Sequence, residues 1–256
     1  MDSYPGGKAI DGTYQVIINQ ILPHKEFISG FFGHCGITRI KKPSEVTIGI
    51  EPDQSVIEDW KSLVVPIQQK SFLNSLYLIN CEFLQVIDQL LPSLEKPFLY
   101  LDPPYPKNSR KSSVDIYKHE MTDDQHIELL SWVVRQDVPI CISSYPNKLY
   151  DEYLKEWRNK KFQSKTRQGL ATEIMYMNYE EPTQLHDYRF IGKNFRERER
   201  IKRRTTSMKR KFSELATLEQ AMLIQEFISI IAENSDAFRK GLLPGSIAEY
   251  QDASGF

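Results

Sequence analysis

With 256 residues, 40% of them apolar and 26% charged, the chain can bury a full core, which suits one α/β domain with a small addition and excludes disorder throughout. The formal net charge of -1 hides an uneven distribution, since Tyr188 to Phe212 carries eleven Lys or Arg residues against only Glu197 and Glu199. Such a stretch in a near-neutral chain points to a polyanion partner. Cys35, Cys81 and Cys141 are widely spaced, odd in number and set in or beside apolar runs, so they read as reduced core thiols. The N-terminus carries no charged-then-apolar signal, and no apolar run approaches the roughly 18 residues of a membrane span, which predicts a cytoplasmic, intracellular protein.

In chain order, Ile10, Tyr14, Ile17, Ile18 and Ile21 recur at helical spacing until Pro23. Phe27 to Phe32 reads as a buried strand running into the glycine loop Gly33-His34-Cys35-Gly36. Val46 to Ile50 is a second strand that stops at Glu51, before Pro52. A helix is predicted over 54–65 and a third strand over 75–80, and Phe83, Val86, Ile87, Leu90 and Leu91 share a helical face. A fourth strand, Phe98 to Leu101, delivers Asp102, and the polar, basic segment between Pro106 and Met121 is predicted to be a mobile loop over the site. Thr122 caps a predicted helix over 123–135, followed by a strand over 138–144, a helix over 148–157 and a late antiparallel strand over 173–179.

Strands alternating with helices indicate a mostly parallel sheet covered on both faces, an α/β fold with a C-terminal helical extension. Composition changes after Glu180-Glu181-Pro182, which puts the boundary between a domain over 1–182 and an extension over 183–256. In the extension, Leu215, Leu218, Met222, Ile224, Phe227, Ile228 and Ile231 predict a packed second helix.

Ligands of an open parallel sheet bind at the carboxyl ends of its strands. The Gly33 to Gly36 loop, Glu51, Glu82 and Asp102-Pro103-Pro104-Tyr105 all fall there. A glycine loop admits close approach of a ligand to backbone, and an acid ending the next strand can take two ribose hydroxyls. Prolines 103 and 104 remove two backbone donors and leave their carbonyls as acceptors. The hydrogens of an exocyclic amine can therefore meet the Asp102 carboxylate and the Pro103 carbonyl, with Tyr105 as a face for a base to stack on. Those are the parts of a site that methylates a nucleobase amine. His24, His34, His119, His126 and His186 lack partners at metal-ligand spacing, so no metal is expected, and His34 in the glycine loop is read as facing solvent in preference to touching a cofactor.

These motifs resemble the Dam-like DNA adenine-N6 methyltransferases, with matches spread from Ser3 to Tyr179. Tyr4-Pro5-Gly6-Gly7-Lys8 resembles the family's Gly-Gly-Lys motif, and Phe31-Phe32-Gly33-His34-Cys35-Gly36 its Phe-x-Gly-x-Gly loop. Glu51 resembles its ribose-binding acid, Glu82-Phe83 its Asp-Phe step near the cofactor's adenine, and Asp102 to Tyr105 its catalytic motif. Glu173 with Asn178-Tyr179 resembles its late strand. The resemblance implies a Rossmann-like, S-adenosylmethionine-dependent fold and methyl transfer to N6 of a flipped adenine in double-stranded DNA. It also implies cofactor contacts from Tyr4, Gly6, Gly7, Lys8, Phe31, Gly33, Cys35, Gly36, Glu51, Glu82, Phe83 and Asp102.

The chain departs from the pattern at Cys35, where the family often has glycine, and at Glu82, where Asp is more usual. It also lacks the long target-recognition insertion that the family places between its ribose-binding acid and its catalytic motif. DNA contacts are accordingly expected from Lys107, Arg110 and Lys111 in the loop, and from Arg196, Arg200, Arg203 and Arg204 in the extension. Tyr188, Phe190, Phe195 and Phe212 are read as docking that helix. Methylation of cytosine at N4, an RNA substrate, and a non-catalytic DNA-binding protein that retains the fold stay open.

Overall fold

The computed structural model describes residues 8–9, 12–62, 75–110, 118–166 and 169–233. They form two compact units, 1–181 with 186–188, and 182–185 with 189–256. The first holds α1 (Thr13–Ile18), β1 (Glu26–Gly30), α2 (Gly36–Ile40), β2 (Val46–Ile50), α3 (Gln54–Lys61), β3 (Leu76–Ile79) and α4 (Phe83–Leu90). It continues through β4 (Pro97–Leu101), α5 (Asp123–Val133), β5 (Ile140–Ser144), α6 (Lys148–Tyr153), β6 (Arg158–Thr166) and β7 (Gly169–Met177).

The seven strands order as β3-β2-β1-β4-β5-β7-β6. β1 pairs in parallel with β2 and β4, β2 with β3, and β4 with β5, while β7 runs antiparallel to both β5 and β6. This is a Rossmann-like methyltransferase topology. The central strands read as continuous apolar runs because helices cover both faces. In β4, Phe98 to Leu101 are all buried, and the Phe27 ring stacks on Phe98 (6.1 Å, 7°) and Tyr100 (6.2 Å, 18°). The order reverses between β1 and β4, so a crevice opens there at the carboxyl ends.

One glycine sets the shape of that crevice. A Cβ on Gly49 would stand 2.7 Å from the Phe32 ring, so the bare backbone of β2 lets Phe32 lie across it. Phe32 then packs on Trp60 of α3 (4.8 Å), whose indole Nε1 donates to the Gly33 carbonyl at 2.7 Å. Asp53 caps α3 by accepting from the Ser55 amide, and Thr122 and Gln125 form a reciprocal capping box on α5.

Three sequence expectations change. β6 is absent from the expected strands, and the helix expected over 148–157 ends at Tyr153. β6 lies at the sheet edge with a sequence rich in Lys, Asn, Gln and Ser, and among its described side chains Phe162 and Ser164 are buried. The cysteines also separate, since Cys141 is buried while Cys35 and Cys81 are partly exposed.

The second unit carries α7 (Phe195–Ser213) and α8 (Thr217–Glu233). Asn194 caps α7 by accepting from the Glu197 amide at 3.0 Å. Arg196, Arg200, Arg203 and Arg204 are exposed on it. Within α8, Leu218, Met222 and Phe227 are 84%, 63% and 50% exposed. Tyr188 and Phe195 are exposed. Residues 63–65, 111–117, 234–256 and Ile10 fall outside the described residues.

Gly49→Ala is expected to push Phe32 off β2 and to cost about 1–3 kcal/mol, the usual penalty for overpacking a filled site. Urea unfolding monitored by tryptophan fluorescence checks this. An unchanged midpoint would show that Phe32 does not depend on the bare backbone.

Candidate active site

A cleft opens at the carboxyl ends of β1, β2 and β4. Phe31, Gly33, Cys35, Glu51, Glu82, Asp102 and Pro104 line it, together with Lys118 to Met121 from the end of the loop. Phe31 and Gly33 have φ of 59° and 44°, so two of three successive residues sit in the left-handed region and turn the loop sharply out of β1. The Gly33 amide donates to Glu51 Oε2 at 2.7 Å and the Asp53 amide to Oε1 at 3.0 Å. Burial raises the Glu51 pKa, and those two amide bonds oppose the rise.

Asp53 is held at about 2, below its usual 3.8. Burial acts in the opposite direction and is outweighed by hydrogen bonds from Lys118 Nζ (2.8 Å) and from the Ser55 hydroxyl and amide. Lys118 therefore ties the end of the loop to the residue beside Glu51. Cys35 Sγ accepts from the Thr38 hydroxyl at 3.4 Å and the Ser29 hydroxyl at 3.6 Å, which fixes the thiol in the cleft wall.

Beside the cleft, Asp102 leaves the end of β4 and enters an ionic cluster. Its Oδ1 accepts from Ser143 Oγ at 2.7 Å and from the Tyr105 hydroxyl at 3.1 Å, and its Oδ2 pairs with Lys8 Nζ at 3.1 Å. Glu173 of β7 pairs with the same Lys8 at 3.3 Å, accepts from Tyr105 at 2.7 Å and accepts from the Ser164 hydroxyl. Burial raises the Asp102 pKa; Lys8 acts against that rise and Glu173 adds to it. Lys8 reaches the cluster because a Cβ on Gly36 would meet the Ala9 backbone N at 2.7 Å, so only glycine lets residues 8 and 9 lie against the start of α2.

Several expected roles change with this geometry. Lys8 is a partner of Asp102 and Glu173 and is absent from the cleft lining, and Gly36 packs on Ala9. Phe83 is a core residue, 2% exposed and edge-on to Trp132 (5.4 Å), and it anchors α4 so that Glu82 reaches the cleft. Tyr105 is 5% exposed, with Tyr145 edge-on at 4.5 Å and Lys8 over its ring at 5.0 Å, so its ring is not an open stacking face. Arg110 makes a bidentate pair with Glu120 (2.8 and 2.7 Å) and is 4% exposed, which removes it from the groups open to phosphate. His34 pairs with Asp59 at 3.1 Å and is 10% exposed rather than facing solvent. Lys107 lies in a short turn, Lys107–Ser109, and Tyr4, Gly6, Gly7 and Lys111 lie outside the described residues.

Sequence reasoning missed Ser143, Ser164 and the role of Glu173 in the cluster. Their small polar or acidic side chains sit in strands where they read as ordinary pattern breaks. A carboxylate among the apolar residues of β7, 3% exposed, is the signal that was available. Among the described residues no group of His, Cys, Asp and Glu could hold a metal ion, and no helix is long and apolar enough to cross a membrane.

The sheet and the carboxyl-end cleft thus define the methyltransferase class of Rossmann-like folds. Residues 67–170 match the family model of D12 class N6 adenine-specific DNA methyltransferases, in agreement with the motif resemblance. That span contains β4, Asp102 to Tyr105, β5 and β6 and the first residues of β7. No curated protein matches the chain. Similar solved structures include the O-methyltransferase TomG from Streptomyces achromogenes, in complex with SAM (11% identity, 64% of this chain, 77% of that one, TM-score 0.40). A putative methyltransferase from Streptococcus mutans in complex with SAH is also similar (10% identity, 64% and 94%, TM-score 0.40). So is the 23S rRNA methyltransferase ErmE (10% identity, 70% and 71%, TM-score 0.42).

The depressed Asp53 pKa has a testable sign. Its contribution to stability is present above the unfolded value of about 3.9 and is lost as pH falls through about 2. Carbon-detected NMR titration should place the Asp53 midpoint near 2, and Lys118→Met should return it toward the ordinary carboxyl range. No movement in the variant would show that the lysine does not hold it.

Proposed function

We propose that the chain is an S-adenosylmethionine-dependent DNA methyltransferase acting on N6 of an adenine flipped out of the duplex. The observation that carries this reading is Asp102, an acceptor at the end of β4, in the wall of a cleft shared with Glu51 and followed by two prolines. The family match over 67–170 supports the class of reaction and the base.

The residues present fit the methyl donor. Glu51 uses one lone pair of each oxygen on the amides of Gly33 and Asp53, and a carboxylate has about four such sites, so two remain for ribose hydroxyls. Gly33 offers bare backbone, Phe31 and Cys35 apolar and soft contact, and Glu82 an acceptor at the cleft rim. Tyr4, Gly6 and Gly7 complete the expected contact set. S-adenosylmethionine supplies an electrophilic methyl group on a sulfonium.

The protein's task is to make a poor nucleophile adequate. The adenine amine is weakly nucleophilic because its lone pair is delocalised into the ring. Asp102 and the Pro103 carbonyl accept its two hydrogens and favour a more tetrahedral nitrogen, while alignment in the cleft contributes through proximity. Ser143 and Tyr105 hold the Asp102 carboxylate in one orientation, so Tyr105 acts through its hydroxyl. Pro104 walls the same cleft.

Mass spectrometry of nucleosides after incubating the protein with unmethylated DNA and labelled cofactor should show N6-methyladenine. N4-methylcytosine, or label in RNA alone, would overturn the substrate. Asp102→Ala should lose about 3 kcal/mol or more of transition-state stabilisation, at least a hundredfold in rate, with cofactor affinity within a few fold.

Helix α7 is assigned to the phosphate backbone. Arg196, Arg200, Arg203 and Arg204 lie at spacings of four, three and one and can share a broad face. Changing two of them to Ala should weaken DNA binding and reduce the salt slope by roughly 0.9 for each phosphate no longer neutralised, with the methylated sites unchanged. A changed site preference at constant slope would mean that the helix reads bases.

A further inference from the structure

The ionic cluster at Asp102 does not balance. Lys8 stands 3.1 Å from Asp102 and 3.3 Å from Glu173, and it is the sole cationic side chain paired with either carboxylate among the described residues. Ser143, Ser164 and Tyr105 add hydrogen bonds but no charge. One ammonium against two carboxylates leaves one formal negative charge. Lys8 and Glu173 are 6% and 3% exposed and Asp102 is 19% exposed, so solvent screens the charge only in part.

We propose that Glu173 is a positioning residue that keeps this excess negative charge at Asp102, where the amine becomes cationic during transfer. The inference rests on the methyl-transfer reading. In that reaction the amine lone pair forms the new N–C bond as the C–S bond breaks, and the electrons of the C–S bond remain on sulfur. The nitrogen gains positive charge and then sheds one proton. A cluster of net charge -1 stabilises the developing cation and becomes neutral on taking up that proton. Without Glu173, Lys8 and Asp102 would form a closed neutral pair, and the acceptor's charge would be committed to its own partner.

The hydrogen count at Tyr105 favours the same end state. Its hydroxyl has one hydrogen for two acceptors, Asp102 at 3.1 Å and Glu173 at 2.7 Å. Once Asp102 carries the proton, it can donate to the Tyr105 oxygen while Tyr105 donates to Glu173. The product state then gives the Tyr105–Asp102 contact a hydrogen of its own, while the Tyr105 hydrogen stays on Glu173.

The test uses the full chain carrying Glu173→Gln, Glu173→Asp, Lys8→Met and the double change Lys8→Met with Glu173→Gln, each checked for folding by thermal melting. Glu173→Gln should slow single-turnover methyl transfer on the order of 10²-fold at saturating cofactor and DNA. Glu173→Asp, which keeps the charge, should stay within roughly tenfold of wild type, and the double variant should recover about tenfold over Glu173→Gln because Asp102 again carries one unbalanced charge. Calorimetry gives a readout independent of turnover. The preference for S-adenosylmethionine, a cation, over neutral S-adenosylhomocysteine should fall several-fold in Glu173→Gln and return in the double variant, on the order of the change expected for one buried charge. With an active wild type, a Glu173→Gln rate within threefold, or a double variant no better than Glu173→Gln, overturns the charge role and leaves methyl transfer standing. A Glu173→Asp variant as slow as Glu173→Gln overturns it in favour of side-chain shape. A wild type that methylates no nucleic acid overturns both.

Discussion

Two carboxylates sharing one buried ammonium is the constraint around which the first unit is arranged. Lys8 comes from the N-terminal segment, Asp102 from the end of β4 and Glu173 from β7. These three elements are far apart in sequence and must converge to within hydrogen-bond distance, since a buried carboxylate left without a partner costs several kcal/mol. The antiparallel β7 is what makes the convergence possible. By running back against β5, it sets Ser143 opposite Met175, two residues from Glu173, so the hydroxyl and both carboxylates share one end of the sheet.

The cleft and the cluster use the same kind of group for different ends. Glu51 is a carboxylate held by backbone amides, whose positions are fixed by the turn after β1 and the cap of α3. Asp102 is a carboxylate held by side chains, and its neighbours include a second acid and a base. The first arrangement offers a rigid cradle with spare acceptor sites. The second offers a net charge that responds to what arrives beside it. Between them lies a stretch of cleft wall in which Cys35 is fixed by two hydroxyls.

Much of the sheet was legible because its central strands obey a simple rule. Val46–Ile50 has the boundaries predicted for it, and Pro97–Leu101 differs by one residue, since a strand buried on both faces must be apolar along its length. β6 escaped because an edge strand needs few buried side chains, and Phe162 and Ser164 do not make a recognisable run. Glu51, Glu82 and Asp102 were recognisable from their place after strands. What could not be read were pairings between distant residues: Arg110 looks like a phosphate ligand until Glu120 is found against it, and Lys8 looks like a cofactor contact until Asp102 and Glu173 are found beside it. A periodic apolar pattern in α8 states that a face needs cover, and it does not state what supplies that cover.

The close approach of Gly36 to Ala9 ties sequence drift to chemistry. At most core positions a modest change in size is absorbed by neighbours, and its effect falls on stability alone. At position 36 any side chain meets backbone at 2.7 Å, and the segment it displaces carries the one ammonium that serves both acids. A descendant of this chain that lost the glycine would fold with its acceptor charge unpartnered. Position 36 can therefore be expected to resist substitution for reasons of charge, although it is uncharged and sits outside the cleft.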